Sequence, residues 1–333
     1  MRKVGIGVAG VGRMGRIHAV DLVSRCAKAG LACIYDADRD RAAALAAQLD
    51  VPVAASFTEL LDRSEAVVIA TPTGTHAELT VAAARAGRPV FCEKPISLDR
   101  ATTLVTIEAV EAAGVPFQVG FHRRFDPDWV AAAERIAAGE LGRVTLFRTS
   151  LRDMNPPNPA FLAGSGGFFV DVTVHDLDVA RWLVGEVVEV SAHGAASDPA
   201  FAELGDIDTA VVVLRFANGA LGVIDNSRSA RYGYECSTEV MGTLATARID
   251  NPHRSGLEWR TPGAATRDIV RDFEERYPYA YAAELDAFAE CVRTGAPPRV
   301  TGRDALAAFD LAVAADESWR TGRPVAIPQG VNA

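Results

Sequence analysis

The chain has no C-x-x-C pair, no H-E-x-x-H motif, no apolar run long enough to span a bilayer, and no surplus of positive charge. Each absence removes a class of protein. Its five cysteines (Cys26, Cys33, Cys92, Cys236, Cys291) are odd in number and scattered, which reads as reduced thiols and not a disulfide framework. His18, His76, His122, His193 and His253 fall into no metal-ligand spacing. Asp171, His175 and Asp178 offer oxygen and nitrogen donors close together, but no metal is expected. A net charge of −9 and a pI near 5.3 argue against nucleic acid or an anionic membrane as partner. The apolar runs are short and interrupted, so no membrane span is expected. Met1-Arg2-Lys3 leads directly into the first strand, leaving no room for a signal peptide. A cytoplasmic enzyme is the expectation.

What is present begins at the N-terminus. Val4–Ala9 reads as a short buried strand, and Gly10-Val11-Gly12-Arg13-Met14-Gly15 follows at once. Residues 16–29 have helical composition. This is G-x-G-x-x-G in a strand–turn–helix context: one glycine for the tight turn, one for backbone approach to a pyrophosphate, one for helix–strand packing. Alone, the motif reads equally well as a plain glycine-rich turn. The next strand, 31–35, ends in Asp36, about 20 residues after the glycines. A carboxylate there can bond a ribose 2′-hydroxyl and repels a 2′-phosphate, which favours NAD over NADP. Arg39 and Arg41 read as solvated residues of the following helix. Strands at 66–70, 88–92 and 116–119 alternate with helices at 75–86 and 101–113. The alternation implies an α/β Rossmann domain, a doubly wound parallel sheet. Its crevice collects Gly10, Asp36, Thr71-Pro72 and Glu93-Lys94, since ligands sit beyond the carboxyl ends of such strands. Lys94, after a buried strand, is either a surface residue or a group aimed at substrate.

The pattern changes after about residue 122. Asp126-Pro127 is a good helix start, leading into 129–138. Residues 143–150, 208–216, 220–224, 234–241 and 245–249 have strand character, with Asn218-Gly219 as a hairpin signal. Two helices, 279–293 and 303–320, close the chain. The expectation is an α+β C-terminal domain with an open, mainly antiparallel sheet, one face of which can pack on a partner subunit. At 333 residues two domains are expected. Residues 1–121 would bind NAD; residues 122–333 would bind substrate and oligomerise, with the C-terminal helices free to pack back on the first domain.

Within the stretch 166–183, Asp171 and His175 are four apart on an apolar-striped helix. Such a pair serves as a surface ion pair or as a base with its orienting carboxylate. The glycines at 166 and 167 suit a backbone passing close to a ligand.

Taken in order, Gly10-x-Gly12-x-x-Gly15, Glu93-Lys94-Pro95 and Asp171-x-x-x-His175 resemble the Gfo/Idh/MocA family of NAD(P)-dependent oxidoreductases, over essentially the whole chain. Further stretches are similar to its bacterial inositol 2-dehydrogenases: Gln118–Phe121 with Arg123–Asp126, Ser165–Gly167, Asp206–Ala210, Asn226–Arg228 and Tyr232–Tyr234. The resemblance implies Lys94, Asp171 and His175 as catalytic residues. Lys94 would bond the reacting hydroxyl, His175 would be the general base, and Asp171 would orient it. The implied cofactor set is Gly10, Gly12, Arg13, Met14, Gly15, Asp36, Thr71, Pro72, His76 and Glu93, with Glu93 on the nicotinamide ribose. Lys94, Arg124, Asn155, Asp171, His175 and Tyr234 would meet the substrate; Arg124 reads equally as a structural ion-pair partner and Tyr234 as a sheet aromatic. The chain departs from the group at His122, at 152–157 and at Glu235-Cys236-Ser237, segments expected to border the substrate. The implied reaction is NAD-dependent oxidation of a ring hydroxyl, myo-inositol first. Another inositol isomer, an aldose or an anhydrosugar is the alternative, and a non-catalytic NAD-binding sensor is the reading of another class. The resemblance also implies a homotetramer.

Overall fold

The computed structural model describes residues 2–162 and 164–328. The chain packs as two compact units. One holds the residues up to Asp126 together with Tyr279–Leu306, the other Pro127–Pro278 and the residues from Ala307 on.

In the first unit, five strands, β1 (Val4–Ala9), β2 (Ala29–Tyr35), β3 (Ala66–Ile69), β4 (Val90–Cys92) and β5 (Phe117–Val119), form a wholly parallel sheet. Their order is β2-β1-β3-β4-β5. β3, β4 and β5 are buried at every residue, as apolar strands covered on both faces must be. The order reverses between β1 and β3, so the loops leaving those strands, which carry Gly10 and Thr71, flank the switch point where such sheets bind ligands. The sequence reading placed a boundary at 121/122 and left the C-terminal helices free to pack back on the first domain. In the structure this unit takes up Tyr279–Leu306 as well. The reason lies in the helix Ala280–Thr294, where Ala282, Leu285, Phe288 and Ala289 make an apolar stripe that packs with Ile6, Val8, Leu22 and Phe91.

The second unit is built on β6 (Val144–Arg152), β7 (Val187–Ala195), β8 (Thr209–Phe216), β9 (Leu221–Ser227), β10 (Glu235–Gly242) and β11 (Thr246–Ile249). A separate hairpin, β12 (His253–Thr261) and β13 (Ala264–Ile269), follows, and β14 (Val325–Ala326) completes the main sheet. The order is β11-β10-β6-β9-β8-β7-β14, antiparallel at every pairing except β6–β9, which is parallel. The sheet is thus mixed. Hairpins such as β8–β9 announce themselves through Asn218-Gly219, whereas β6 and β9 are joined by nearly seventy residues that carry no local signal of direction. β7 and the three strands after β11 were not expected from the sequence. Burial alternates along β8, with one face on the core and Val211 and Val213 exposed on the other. The helix Val174–Val184 is tied to the covered face through buried Asp176, which accepts hydrogen bonds from Thr149 Oγ1 (3.1 Å) and Asn226 Nδ2 (2.9 Å). No helix among the described residues is long and apolar enough to cross a membrane.

Candidate active site

The glycine turn is built as its residue types require. Gly10 has φ +83°, and a Cβ there would lie 2.6 Å from the Thr71 nitrogen. A Cβ on Gly15 would overlap the Gly10 carbonyl oxygen, while one on Gly12 would meet nothing within 4 Å. Gly12 caps the helix Arg13–Ser24 without a side-chain hydrogen bond, and the first turn contains no acid. These are the properties of a helix start that receives phosphate. Asp36 has a structural task besides the cofactor contact expected of it. Its Oδ2 accepts from the Val11 amide (2.7 Å) and its Oδ1 from the Asp38 amide (2.8 Å), so it also braces the turn. That second task has no signature in spacing. Arg41 is committed to Asp38 at 2.9 Å and stays 3.9 Å from Asp36; Arg39 donates to the Ala55 carbonyl.

Thr71 and Pro72 follow β3, and Glu93 and Lys94 follow β4. Buried His76 ties the two exits together: Nδ1 lies 2.8 Å from the Pro95 carbonyl oxygen and Nε2 2.7 Å from that of Thr71. Two carbonyls are served at once only by an imidazolium with two N–H donors. Burial opposes that charge, but the Cys92 sulfur and the two carbonyls outweigh it, and the pKa is pushed up to about 9. Glu93 is buried, its Oε1 2.6 Å from His18 Nε2. Gly120 leaves it room, since a Cβ there would stand 3.0 Å from Glu93 Oε2. Lys94 follows directly. Arg124 is buried in the same unit, 3.3 Å from Asp304 and donating to the Arg299 carbonyl, the geometry of a structural ion pair. His122 stacks on Tyr281, ring centroids 4.8 Å apart.

In the second unit, Asp171 does not lie on a continuous α-helix. Residues Phe169–Thr173 form a π-helical turn that runs into the α-helix Val174–Val184. Such turns are rare and concentrate at functional sites. Of residues 168–180, Asp171 and His175 alone are not fully buried, so a carboxylate and an imidazole emerge together from an apolar surround. Asp171 Oδ2 accepts from Arg228 Nη2 at 2.6 Å. Arg228 is itself buried, 3.3 Å from Asp206, with its guanidinium 5.2 Å from the centre of the Phe168 ring. Asp206 in turn accepts from the Phe168 amide (3.0 Å). Arg228 and Asp206 were legible only as parts of similar stretches; no spacing rule singles them out as holders of Asp171. Asn155 is exposed. Tyr234 is buried edge-on to Tyr277, centroids 6.4 Å apart, a packing position. The expected residues therefore divide: Lys94, Arg124 and the cofactor set belong to the first unit, Asp171, His175, Asn155 and Tyr234 to the second.

Comparison with known proteins defines the class. Residues 4–121 match the Gfo/Idh/MocA oxidoreductase family's NAD-binding Rossmann fold, and residues 133–327 match its C-terminal alpha/beta domain. The chain belongs to this family of oxidoreductases, and NAD is its cofactor. Among its relatives, the myo-inositol 2-dehydrogenase of Thermotoga maritima is 40% identical over 97% of this chain and 98% of its own. The scyllo-inositol 2-dehydrogenase (NAD(+)) of Bacillus subtilis is 38% identical over 96% and 94%. The structure of scyllo-inositol dehydrogenase from Lactobacillus casei with bound NAD(H) and scyllo-inositol superposes with a TM-score of 0.89 at 28% identity, covering 98% of this chain and 99% of that one.

Proposed function

We propose that the protein oxidises a secondary ring hydroxyl of a cyclic polyol to the ketone, and that its reaction is myo-inositol to 2-keto-myo-inositol. The carrying observation is the emergence of Asp171 and His175, alone in an otherwise buried stretch, in a chain whose other unit has an NAD-type glycine turn. NAD, when bound, takes the hydride from the carbinol carbon. His175 takes the hydroxyl proton as general base. The Lys94 ammonium donates to the same oxygen and stabilises the charge that develops on it. Asp171, held by Arg228, orients the imidazole. Glu93 holds the nicotinamide ribose. In this reading Asn155 meets the substrate.

Scyllo-inositol has specific support as a second substrate, because relatives of both names match along nearly their full length. The two polyols differ at one carbon and give the same ketone when oxidised there. The exposed sheet face, with Val211, Val213, Leu221 and Met241, supports assembly as a homotetramer, and the proposal includes action in the cytoplasm. The test is initial-rate reduction of NAD, and separately NADP, with myo-inositol, scyllo-inositol, D-chiro-inositol, glucose and levoglucosan. Turnover of an inositol with NAD at rates well above NADP is expected. Turnover of glucose or levoglucosan alone would reassign the substrate. Tight NAD binding with no turnover across the panel would favour a sensor.

A further inference from the structure

Behind Glu93 lie two buried groups, His18 and Glu284, that the reaction does not use. His18 and Glu284 are completely buried and Glu93 nearly so, and the ligand-type atoms of all three lie within 4.8 Å of one another. His18 Nε2 and Glu93 Oε1 are 2.6 Å apart. Neither carboxyl oxygen of Glu284 has a hydrogen-bond partner among the described residues. The charged groups acting on it, Glu93 and Asp21, are both acids, and Asp21 is engaged by Arg25 at 2.6 Å. His18, whose Nδ1 also has no hydrogen-bond partner among the described residues, and the Cys26 thiol stand near it, with Tyr281 one turn earlier on its own helix. An ionised carboxylate with neither cation nor donor is not sustained in such a place. A buried carboxyl this close to a second one and without a donor of its own keeps its proton.

A divalent ion is the competing occupant, since two carboxylates and an imidazole suit one. Two atoms bound to a tetrahedral ion at ~2.1 Å stand roughly 3.4 Å apart. The 2.6 Å between His18 and Glu93 is a hydrogen-bond separation. We propose that Glu284 is a neutral carboxylic acid that donates its proton to Glu93, so that Glu93 is clamped between the His18 imidazole and the Glu284 hydroxyl, with Glu284 as a positioning residue for the group that meets the cofactor ribose. The last clause rests on the role proposed for Glu93 above.

Burial first, then the charges of Glu93 and Asp21, holds the Glu284 carboxyl well above its usual range. The folded protein therefore keeps a proton that the unfolded chain releases. Stability from this group is full below the ordinary carboxyl range and is lost as pH rises toward its folded pKa.

The experiment uses the full chain with Glu284→Gln, which keeps a donor, and Glu284→Leu, which does not. Denaturant unfolding is followed from pH 5 to 9, NAD affinity by direct titration, and bound metal by elemental analysis. Glu284→Gln is expected to bind NAD within about twofold of the unmodified protein. Its stability lead should widen with pH, by up to about tenfold in the folding constant per pH unit. Glu284→Leu is expected to fold and to bind NAD roughly tenfold more weakly, the loss of one hydrogen bond to a charged group. A stability difference between Glu284→Gln and the unmodified protein that stays flat across the pH range overturns the neutral acid. Stoichiometric metal, lost in Glu284→Gln, overturns it in favour of a metal site. Unchanged NAD affinity in Glu284→Leu overturns the positioning role. The pH series reads stability alone, so it stands apart from any failure of the polyol dehydrogenase reading.

Discussion

Replacing Arg228 with methionine tests whether Asp171 is held in place by a buried cation. Methionine keeps the length and apolar stem of the side chain and removes the guanidinium. Two hydrogen bonds go with it, 2.6 Å to Asp171 and 3.3 Å to Asp206, along with the stacking on Phe168. Arg228 is 1% exposed, so both carboxylates would be left facing an apolar residue. Removing one member of a buried pair costs about 3–5 kcal/mol. The side chains of Asp171 and Asp206 are 17% and 13% exposed, which lets water repair part of the loss, so ~3 kcal/mol is the expected destabilisation in denaturant unfolding. Catalysis should suffer separately. A carboxylate released from its anchor no longer sets the imidazole, and a small displacement of a catalytic group costs roughly 10²-fold in kcat/KM. NAD affinity should not move. Arg228→Lys retains one donor and the charge but not the fork, and should fall between the two. Full stability and turnover in Arg228→Met would refute the anchoring role outright. Loss of stability with normal turnover of the folded fraction would leave Arg228 structural.

Lys94→Met is expected to lower kcat by about 10²-fold or more with NAD affinity nearly unchanged, measured by initial rates and direct titration; equal loss of both would make Lys94 structural. Asp36→Ala removes the acceptor of the Val11 and Asp38 amides together with the charge that repels a 2′-phosphate. NAD should bind about tenfold more weakly while the NADP-to-NAD ratio of kcat/KM rises, and a fixed ratio would contradict the role of Asp36 in cofactor choice. His76, with a pKa raised to about 9, contributes stability that is full below about 6.5 and is lost as pH rises through 9. That window corresponds to ~3 kcal/mol. His76→Leu should lose this dependence in a pH series of unfolding curves; an unchanged slope would mean that His76 is neutral.

The first unit was legible because its signals are local. Glycines fail at Gly10 and Gly15 unless they are glycine, and buried parallel strands are continuous apolar runs, so a few residues carry each element. The second unit was half legible. Hairpins show in their turns, but the parallel β6–β9 pairing depends on a long connection. The π turn at Phe169–Thr173 keeps the apolar periodicity of the α-helix expected there, since one inserted residue hardly alters a stripe. The candidate chemistry-bearing residues were proposed through motif; the side chains that hold them have no such signal. Arg228 reaches Asp171 from 57 positions away, and Glu284 approaches Glu93 from the far end of the chain. Such pairings have no period. Arg124 read equally as a substrate contact and as a structural ion-pair partner, and its partner Asp304 sits on a helix nearly two hundred residues later, beyond any local signal.

The buried polar groups of this protein are not spread evenly. His18, Glu93 and Glu284 stand behind one strand exit, His76 pins two, and Arg228 with Asp206 stands behind the π turn. A core built for stability alone would replace each with an apolar side chain of similar size, because a buried ion pair seldom outdoes good packing. Their placement beside Glu93, Lys94 and Asp171 argues that what they supply is orientation. A catalytic carboxylate with water on all sides samples many rotamers; one gripped by a buried donor samples few, and that loss of freedom is taken once, at folding, and not again at each turnover. Apolar substitutions at several of these holders, Glu284→Leu and His76→Leu among them, should therefore be tolerated by the fold at alkaline pH. The same proteins should lose cofactor affinity or turnover. If they keep both, the buried polar groups are remnants of folding specificity, and the positioning of Glu93 and Lys94 resides in the backbone of β4 alone.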